Sequence, residues 1–213
     1  MISKLFSRDE IISRFHDGQT IMTGGFAFHG CAGELMDCLI ASGAKHLTNI
    51  ALDASAARLM HLGIFDKVIM AHSGSVPENL ALMASGKIEV EFCPMGTLAE
   101  RIRAGGMGLG GILVKTGLGT VAQEGKQLVE VNGETWILET ALRADISLVR
   151  AGTADAYGNL TYRGTARNSN HVVATAGDLT IIHAYQLVEL DSIQPESIVT
   201  PGILVDMILD NSR

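Results

Sequence analysis

Two glycine-rich stretches of this 213-residue chain have the residue types that ligand chemistry needs. The first is Thr23-Gly24-Gly25-Phe26-Ala27-Phe28-His29-Gly30. It follows a short apolar run, Thr20-Ile21-Met22-Thr23, and precedes a helical pattern over 33–41. A strand that passes through glycines into a helix places backbone N–H groups beyond the carboxyl end of a parallel sheet, where an anion binds. An ordinary strand-to-helix turn explains the same pattern equally well. The second stretch, Arg101 to Lys126, packs seven glycines between Gly105 and Gly119. Within it, Gly106-Met107-Gly108-Leu109-Gly110-Gly111 satisfies the dinucleotide spacing G-x-G-x-x-G. The order of elements is wrong for that role: a helix reads before these glycines and a strand, Ile112-Leu113-Val114, after them. Thr97-Leu98-Ala99-Glu100 predicts the capped start of that helix. A phosphate loop also fails, since Lys115-Thr116 follows Val114 and not a glycine. A turn needed only for packing stays open as the reading of this stretch.

Isolated polar residues add little. His29 has no Ser, Cys or Asp beside it and reads as a loop histidine satisfied locally. His72, His171 and His183 fall in or beside apolar runs, and the seven histidines show no metal-ligand spacing. Asp53 lies just past a strand end, suited either to a substrate contact or to capping a helix. Arg101 and Arg103 flank the glycines and either attract phosphates or pair with Glu100 at the surface. Arg167-Asn168-Ser169-Asn170 is a polar run that orders a turn or binds a carboxylate. No acid–base pair and no nucleophile with an adjacent base emerges, so no catalytic residue and no metal ligand is assigned.

The elements that position these residues read as alternating short strands and amphipathic helices. Ser7 with Glu10 predicts a capped helix to about Phe15, stopped by Asp17-Gly18. Strands follow at 20–23, 47–51, 68–71 and 88–92, with helices at 33–41, where Leu35, Met36, Leu39 and Ile40 face inward, and at 77–84. The alternation predicts an α/β fold, a largely parallel open sheet flanked by helices. Beyond it, 127–131, Asn132-Gly133 and 135–138 form a strong hairpin signal. Further strands read at 145–150, 160–162 and 179–183. The expectation is a single domain over 1–213 with an antiparallel hairpin region inserted in or added to the main sheet.

Composition bounds the partners. Hydrophobic residues make up 47% and charged residues only 18%, which predicts a substantial core and a surface partly covered by another chain. A formal net charge of −7 argues against nucleic-acid binding. Cys31, Cys38 and Cys93 are odd in number with no C-x-x-C, as expected of reduced cytoplasmic thiols. No apolar run approaches the ~18 residues of a membrane span, and the first residues lack a signal-peptide core.

Several blocks in order make the pattern specific. The chain resembles the α subunit of class I, 3-oxoacid-type coenzyme A transferases. The resemblance runs from Asp17-Gly18-Gln19-Thr20-Ile21-Met22-Thr23-Gly24-Gly25-Phe26 through Gly96-Thr97-Leu98-Ala99-Glu100-Arg101-Ile102-Arg103-Ala104-Gly105-Gly106 and Thr116-Gly117-Leu118-Gly119-Thr120. It continues through Gly158-Asn159-Leu160-Thr161-Tyr162 and Ala166-Arg167-Asn168 to Thr200-Pro201-Gly202. It implies transfer of CoA between a short-chain acyl-CoA and a carboxylic acid such as acetate, butyrate or acetoacetate. Such enzymes run ping-pong through a glutamyl-CoA thioester, without metal or other cofactor; CoA is a substrate. The family's glutamate lies in a β subunit, so the resemblance implies half an enzyme, two α with two β. It assigns CoA binding to Gly24, Gly25, Phe26, Ala27, Phe28, His29 and Gly30, and a wall of the acyl pocket to Asp53, Met95 and Gly96.

The chain departs from the family pattern at four places. Leu52-Asp53 stands for Asn-Asn or Asn-Asp, Pro94-Met95-Gly96 for Pro-Gln-Gly, Ser169 for Phe, and Ala32 for Pro. Loss of amides at Leu52 and Met95 implies a more apolar acyl pocket. Alternative readings are a non-catalytic homologue that binds CoA or another ligand, and a sugar-phosphate isomerase on a related fold.

Overall fold

In β2 (Thr20–Thr23), Ile21 and Met22 are both fully buried, yet they belong to different cores. Successive strand residues face opposite sides, so a strand buried on both demands helices above and below. The computed structural model describes residues 3–26, 29–52, 60–73 and 77–212. Among these, nine strands form one sheet. They are β1 (Leu5–Phe6), β2, β3 (Leu47–Ala51), β4 (Phe65–Met70), β5 (Glu89–Phe92), β9 (Ala144–Asp155), β10 (Leu160–Thr161), β11 (Gly177–Val188) and β12 (Met207–Leu209). The order is β1-β12-β11-β9-β2-β3-β4-β5, parallel throughout. β10 alone runs antiparallel, on β9.

One face carries α1 (Arg8–Ile12), α2 (Gly33–Ser42) and α3 (Pro77–Ala84), whose Ile11, Leu35, Leu39 and Leu82 pack with Ile21, Val68, Leu148 and Ile181. The other carries α4 (Met95–Gly106) and α5 (Asn170–Val173), whose Leu98, Ile102, Val172 and Val173 pack with Met22, Ile50, Val149 and Ile182. The largely parallel α/β reading therefore holds, with both faces covered.

Local rules account for most boundaries. The Ser7 hydroxyl and the Glu10 carboxylate form the expected capping box, although α1 ends at Ile12. Gly43, at φ 74°, closes α2 in the left-handed conformation that only glycine adopts cheaply. Of the four residues expected inward on α2, Ile40 is instead 44% exposed, and Cys38 is buried. The predicted capped start at Thr97 is not used: α4 begins at Met95 behind Pro94, and Thr97 is buried inside it. The Pro94 carbonyl already accepts the Leu98 N–H at 2.8 Å, which moves the cap three residues earlier, from Thr97 to Pro94.

The hairpin is not part of the main sheet. β6 (Gly111–Val114), β7 (Leu128–Val131) and β8 (Glu134–Thr140) form a separate three-stranded antiparallel sheet in the order β6-β8-β7. Asn132 and Gly133 both have positive φ, 53° and 76°, as a tight two-residue turn requires.

Candidate functional site

The order of strand addition reverses beside β2. From β2 the sheet grows one way through β3, β4 and β5, and β9 then returns to lie on the other side of β2. Such a switch point opens a crevice outside the carboxyl ends of the strands. Gly24 and Gly25 leave β2 at this crevice, and β9 runs well past it, since Thr23 pairs with Leu148 but β9 continues to Asp155. Leu52, at the end of β3, and Met95 and Gly96, just beyond β5, lie on the same edge. β5 is three strands from β2, or about 14 Å. The topology thus brings the expected loop and two residues of the expected pocket wall, Met95 and Gly96, to one edge.

The loop glycines answer a packing demand. A Cβ at Gly24 would stand 2.2 Å from Asn170 Oδ1, one at Gly25 2.6 Å from Cys31 Sγ, and one at Gly30 2.6 Å from Ala166 Cα. The N–H groups of Gly24 and Gly25 are also engaged internally. The Gly24 N–H donates to the Leu148 carbonyl at 3.1 Å and the Gly25 N–H to Ser169 Oγ at 2.9 Å. Phe26 and His29 exchange N–H···O=C bonds at 2.9 and 2.8 Å. The free N–H donors expected from the sequence are therefore not available at Gly24, Gly25, Phe26 and His29. Gly24, Gly25 and Gly30 are buried, Phe26 is half-buried and His29 is exposed. Ala27, Phe28 and Asp53 lie outside the described residues.

The polar run 167–170 is what holds this loop. Ser169 Oγ both accepts from the Gly25 N–H and donates to the Gly25 carbonyl, each at 2.9 Å. Asn170 Nδ2 donates to the Gly30 carbonyl at 2.9 Å and to the Ala166 carbonyl at 3.1 Å, while its Oδ1 accepts the Arg150 N–H at 2.8 Å. Both residues are essentially inaccessible, so all these groups are protected from water. Ser169 is one of the four departures from the family pattern, and here it makes a reciprocal pair that a phenylalanine could not. Ser169 and Asn170 thus order the loop, while Arg167 and Asn168 are exposed.

Leu52 is buried in the core with Ile50 and Ile69, so it is a packing residue and not a pocket wall. Met95 and Gly96 are exposed at the first turn of α4. Arg101 is neither free nor paired with Glu100; that partner belongs to Arg103. Arg101 is buried, donating to Glu91 Oε1 at 2.7 Å and to the Thr140 carbonyl at 2.8 Å, with Glu139 at 3.7 Å. It ties α4 to β5 and to the small sheet, and the phosphate role does not fit its burial. Gly105 and Gly106 end α4 where a Cβ would meet the Leu142 carbonyl oxygen at 1.9 Å and Thr175 Oγ1 at 2.0 Å.

Above the switch point stands a charged group of which the sequence pointed only to His183, as a histidine in an apolar run. Arg150 on β9 and His183 on β11 are register partners, both buried. Arg150 Nη1 and His183 Nδ1 each lie 2.7 Å from Glu34 Oε2, in the first turn of α2. Arg150 Nη1 also touches His183 Nδ1. Burial, then the neighbouring guanidinium, hold the His183 pKa below its ordinary value. Burial alone would raise that of Glu34, but its own N–H, His183 and Arg150 bring it below the usual carboxylate range. A signal was available: a charge inside a strand buried on both faces must have a partner.

Next to this group lies a cavity of about 620 Å³ lined by Gly152, Thr153, Thr161, Arg163, Tyr185 and Gln186. The Arg150 guanidinium stacks on the Tyr185 ring at 3.8 Å. Among the described residues, no cluster of three or more His, Cys, Asp or Glu could hold a metal ion, and no helix is long and apolar enough to cross a membrane.

Known proteins share this architecture and sequence. The coenzyme A transferase family model matches residues 7–211. The chain is 45% identical over 214 residues to the acetate CoA-transferase subunit alpha of Escherichia coli K12, covering 98% of this chain and 97% of that one. It is 39% identical to the acetoacetyl-CoA:acetate/butyrate CoA transferase alpha subunit of Clostridium acetobutylicum, covering 98% of each. Among solved structures, glutaconate coenzyme A-transferase from Acidaminococcus fermentans superposes with a TM-score of 0.85 at 18% identity, covering 97% of this chain and 75% of that one. That last likeness concerns the fold; the sequence matches, over nearly the full length, place the chain in the coenzyme A transferase family.

Proposed function

We propose that this chain is the α subunit of a two-subunit CoA-transferase that moves CoA between a short-chain acyl-CoA and a carboxylic acid. The observation that carries the proposal is the end-to-end likeness to the E. coli protein named acetate CoA-transferase subunit alpha. Acetate, butyrate and acetoacetate are the first acids to test, given that name and the C. acetobutylicum one. The edge described above suits the role. A braced loop at Gly24 to Gly30 lies at the sheet's switch point, and the head of α4 at Met95 and Gly96 lies on the same carboxyl edge, about 14 Å along it.

In the proposed cycle, a carboxylate of the β subunit attacks the acyl-CoA carbonyl, and CoA thiolate leaves. The thiolate then displaces the carboxylic acid from the mixed anhydride, giving an enzyme thioester. The acceptor acid takes CoA by the reverse steps. One thioester replaces another, so the chemistry requires neither ATP nor a metal. The α chain would bind CoA along Gly24 to Gly30 and wall the acyl site with Asp53, Met95 and Gly96. Two α with two β is the assembly we expect, in the reducing cytoplasm. Val121 and Ile203, both 81% exposed, with Met107 and Leu109 offer apolar surface for partner subunits.

The complex isolated from its source should transfer CoA from acetyl-CoA to butyrate, and this chain alone should not. Incubation with acyl-CoA in the absence of acceptor acid should leave a CoA adduct on the partner chain by intact-mass spectrometry. An adduct on this chain, or transfer by this chain alone, would overturn the assignment.

A further inference from the structure

Arg101 keeps one nitrogen without a partner. Its Nε and Nη1 donate to the Thr140 carbonyl, Glu91 Oε1 and the Cys93 sulfur. No described residue accepts from Nη2. Arg101 is 5% exposed, yet Nη2 is not among the polar atoms sealed from water without a partner. It opens instead on the cavity that Arg101 lines, a space of about 260 Å³ between α4 and the small sheet. The other walls are Gly125, Lys126, Gln127, Leu138, Glu139 and Thr140. Further donors meet there. Lys126 Nζ gives one N–H to Glu139 Oε1 at 2.6 Å, and no described residue takes the other two. The Gly125 N–H and the Gln127 side-chain amide also lack a described acceptor. Glu139 is the one carboxylate of the lining, and its oxygens face Lys126 and, at 3.7 Å, Arg101 Nε.

Two cations against one carboxylate leave the lining with a single excess positive charge. A guanidinium donor left unmet in so protected a place is costly, and a ligand oxygen removes that cost. Both cations flank the same carboxylate, Glu139, so one further carboxylate can reach Arg101 Nη2 and Lys126 Nζ together. A monoanion matches the excess charge. A phosphate would bring most of a second charge beside the buried Glu139. Leu138 supplies an apolar wall, and the volume leaves room for an alkyl chain of a few carbons. We propose that this cavity binds a short-chain monocarboxylate, which braces the small sheet against α4. Arg101 lies about 9 Å along α4 from Met95, so the site is separate from the helix head that borders the carboxyl edge. The proposal does not depend on the transferase reading, because binding here is read without turnover.

The test is butyrate binding to the assembled complex, followed by hydrogen exchange. Butyrate should slow exchange at the Gly125 amide and in peptides spanning 125–127 and 138–140. Gln127 is exposed and its side chain bonds to no described residue, so a change of charge there should leave the ligand-free urea midpoint unmoved. Gln127→Glu sets a second carboxylate among the donors and should raise the butyrate concentration for half-protection about tenfold. Gln127→Lys should lower it about threefold. Inorganic phosphate at the same concentrations should protect none of these peptides. No protection by butyrate, protection indifferent to both variants, or equal protection by phosphate would overturn the site. Butyrate held elsewhere in the complex would protect other peptides, with one midpoint in wild type and both variants. A complex that transfers no CoA would count against the transferase reading alone, and the exchange experiment would still decide the cavity.

Discussion

Asn170 Oδ1 fills the space that a side chain on residue 24 would need: a Cβ at Gly24 would stand 2.2 Å from it. The same oxygen accepts the Arg150 N–H, and the amide nitrogen holds the Gly30 carbonyl. One buried amide therefore packs against one end of the glycine loop and hydrogen-bonds the other, while also bonding β9. Gly24→Ala should push this amide off its partners and destabilise the protein by about 1–3 kcal/mol. Gly33→Ala is the control, because nothing lies within 4 Å of that Cβ and its φ is ordinary. It should be neutral or stabilising by up to about 1 kcal/mol. Equal losses from the two in urea denaturation would contradict the packing account.

Asn170→Ala keeps the fold of α5 but leaves the Arg150 N–H and the Gly30 carbonyl without their partners in a dry interior. The expected loss is about 2–4 kcal/mol, from at least two unsatisfied groups. Asn170→Asp should be no milder, since a carboxylate would face two carbonyl oxygens. Hydrogen exchange at the Arg150 amide should accelerate in both variants. Continued protection there would show that another acceptor replaces Asn170.

Met95 stands exposed at the head of α4 where the family pattern has glutamine, so Met95→Gln should leave stability within about 0.5 kcal/mol. An amide there offers a hydrogen bond to an oxygen-bearing acyl group. The ratio of kcat/KM for acetoacetate over butyrate should rise by about fivefold. An unchanged ratio in the assembled complex would mean that residue 95 does not border the acyl site.

Arg101→Ala removes the cation that joins Glu91, Glu139 and the Thr140 carbonyl. Glu139 is 2% exposed and would keep only Lys126, at 2.6 Å. Breaking a buried pair in this way costs about 3–5 kcal/mol. The small sheet should loosen first. Trp136, the single tryptophan, lies on β8 and reports it by fluorescence. Coincident loss of fluorescence and far-ultraviolet circular dichroism, at the wild-type midpoint, would rule the tether out.

The pH dependence follows from His183 and Glu34. Burial and Arg150 depress the His183 pKa below 6.5, so the folded protein resists a proton that the unfolded chain accepts. Its contribution is complete above about pH 6.5 and is lost as pH falls through that value toward the folded pKa. His171, depressed by burial and then by Arg103, acts in the same direction. The lowered pKa of Glu34 adds a further loss at still lower pH. Urea midpoints should drop between about pH 7.5 and 5.5, with part of the slope removed by His183→Gln and part by His171→Gln. A slope untouched by both substitutions would refute this origin.

The strands were legible because apolar runs of the right length, bounded by glycine and polar residues, have few other structures to adopt. β2, β3 and α3 fall where the pattern puts them. The Asn132-Gly133 turn was legible for a similar reason, since both positions need positive φ. The start of α4 was not, because a serine or threonine followed by glutamate signals a cap only if the chain is not already helical at that point. The site was harder. Glycines in a strand-to-helix loop mean either a bound anion or a close neighbour, and the sequence cannot say which atoms come near. Ser169 and Asn170 are about 140 positions from Gly25 and Gly30, and no local rule connects them.

The sequence by itself determined the layered α/β class, because periodicity and turn chemistry are local properties of the chain. It also carried the family, because many short blocks recur in order. Only the tertiary structure decided what the glycines do, why Arg101 is buried, and that one of its nitrogens stays free beside a cavity. Those facts depend on long-range contacts: on which N–H groups are already bonded, which charges meet a partner, and which strands outrun their neighbours.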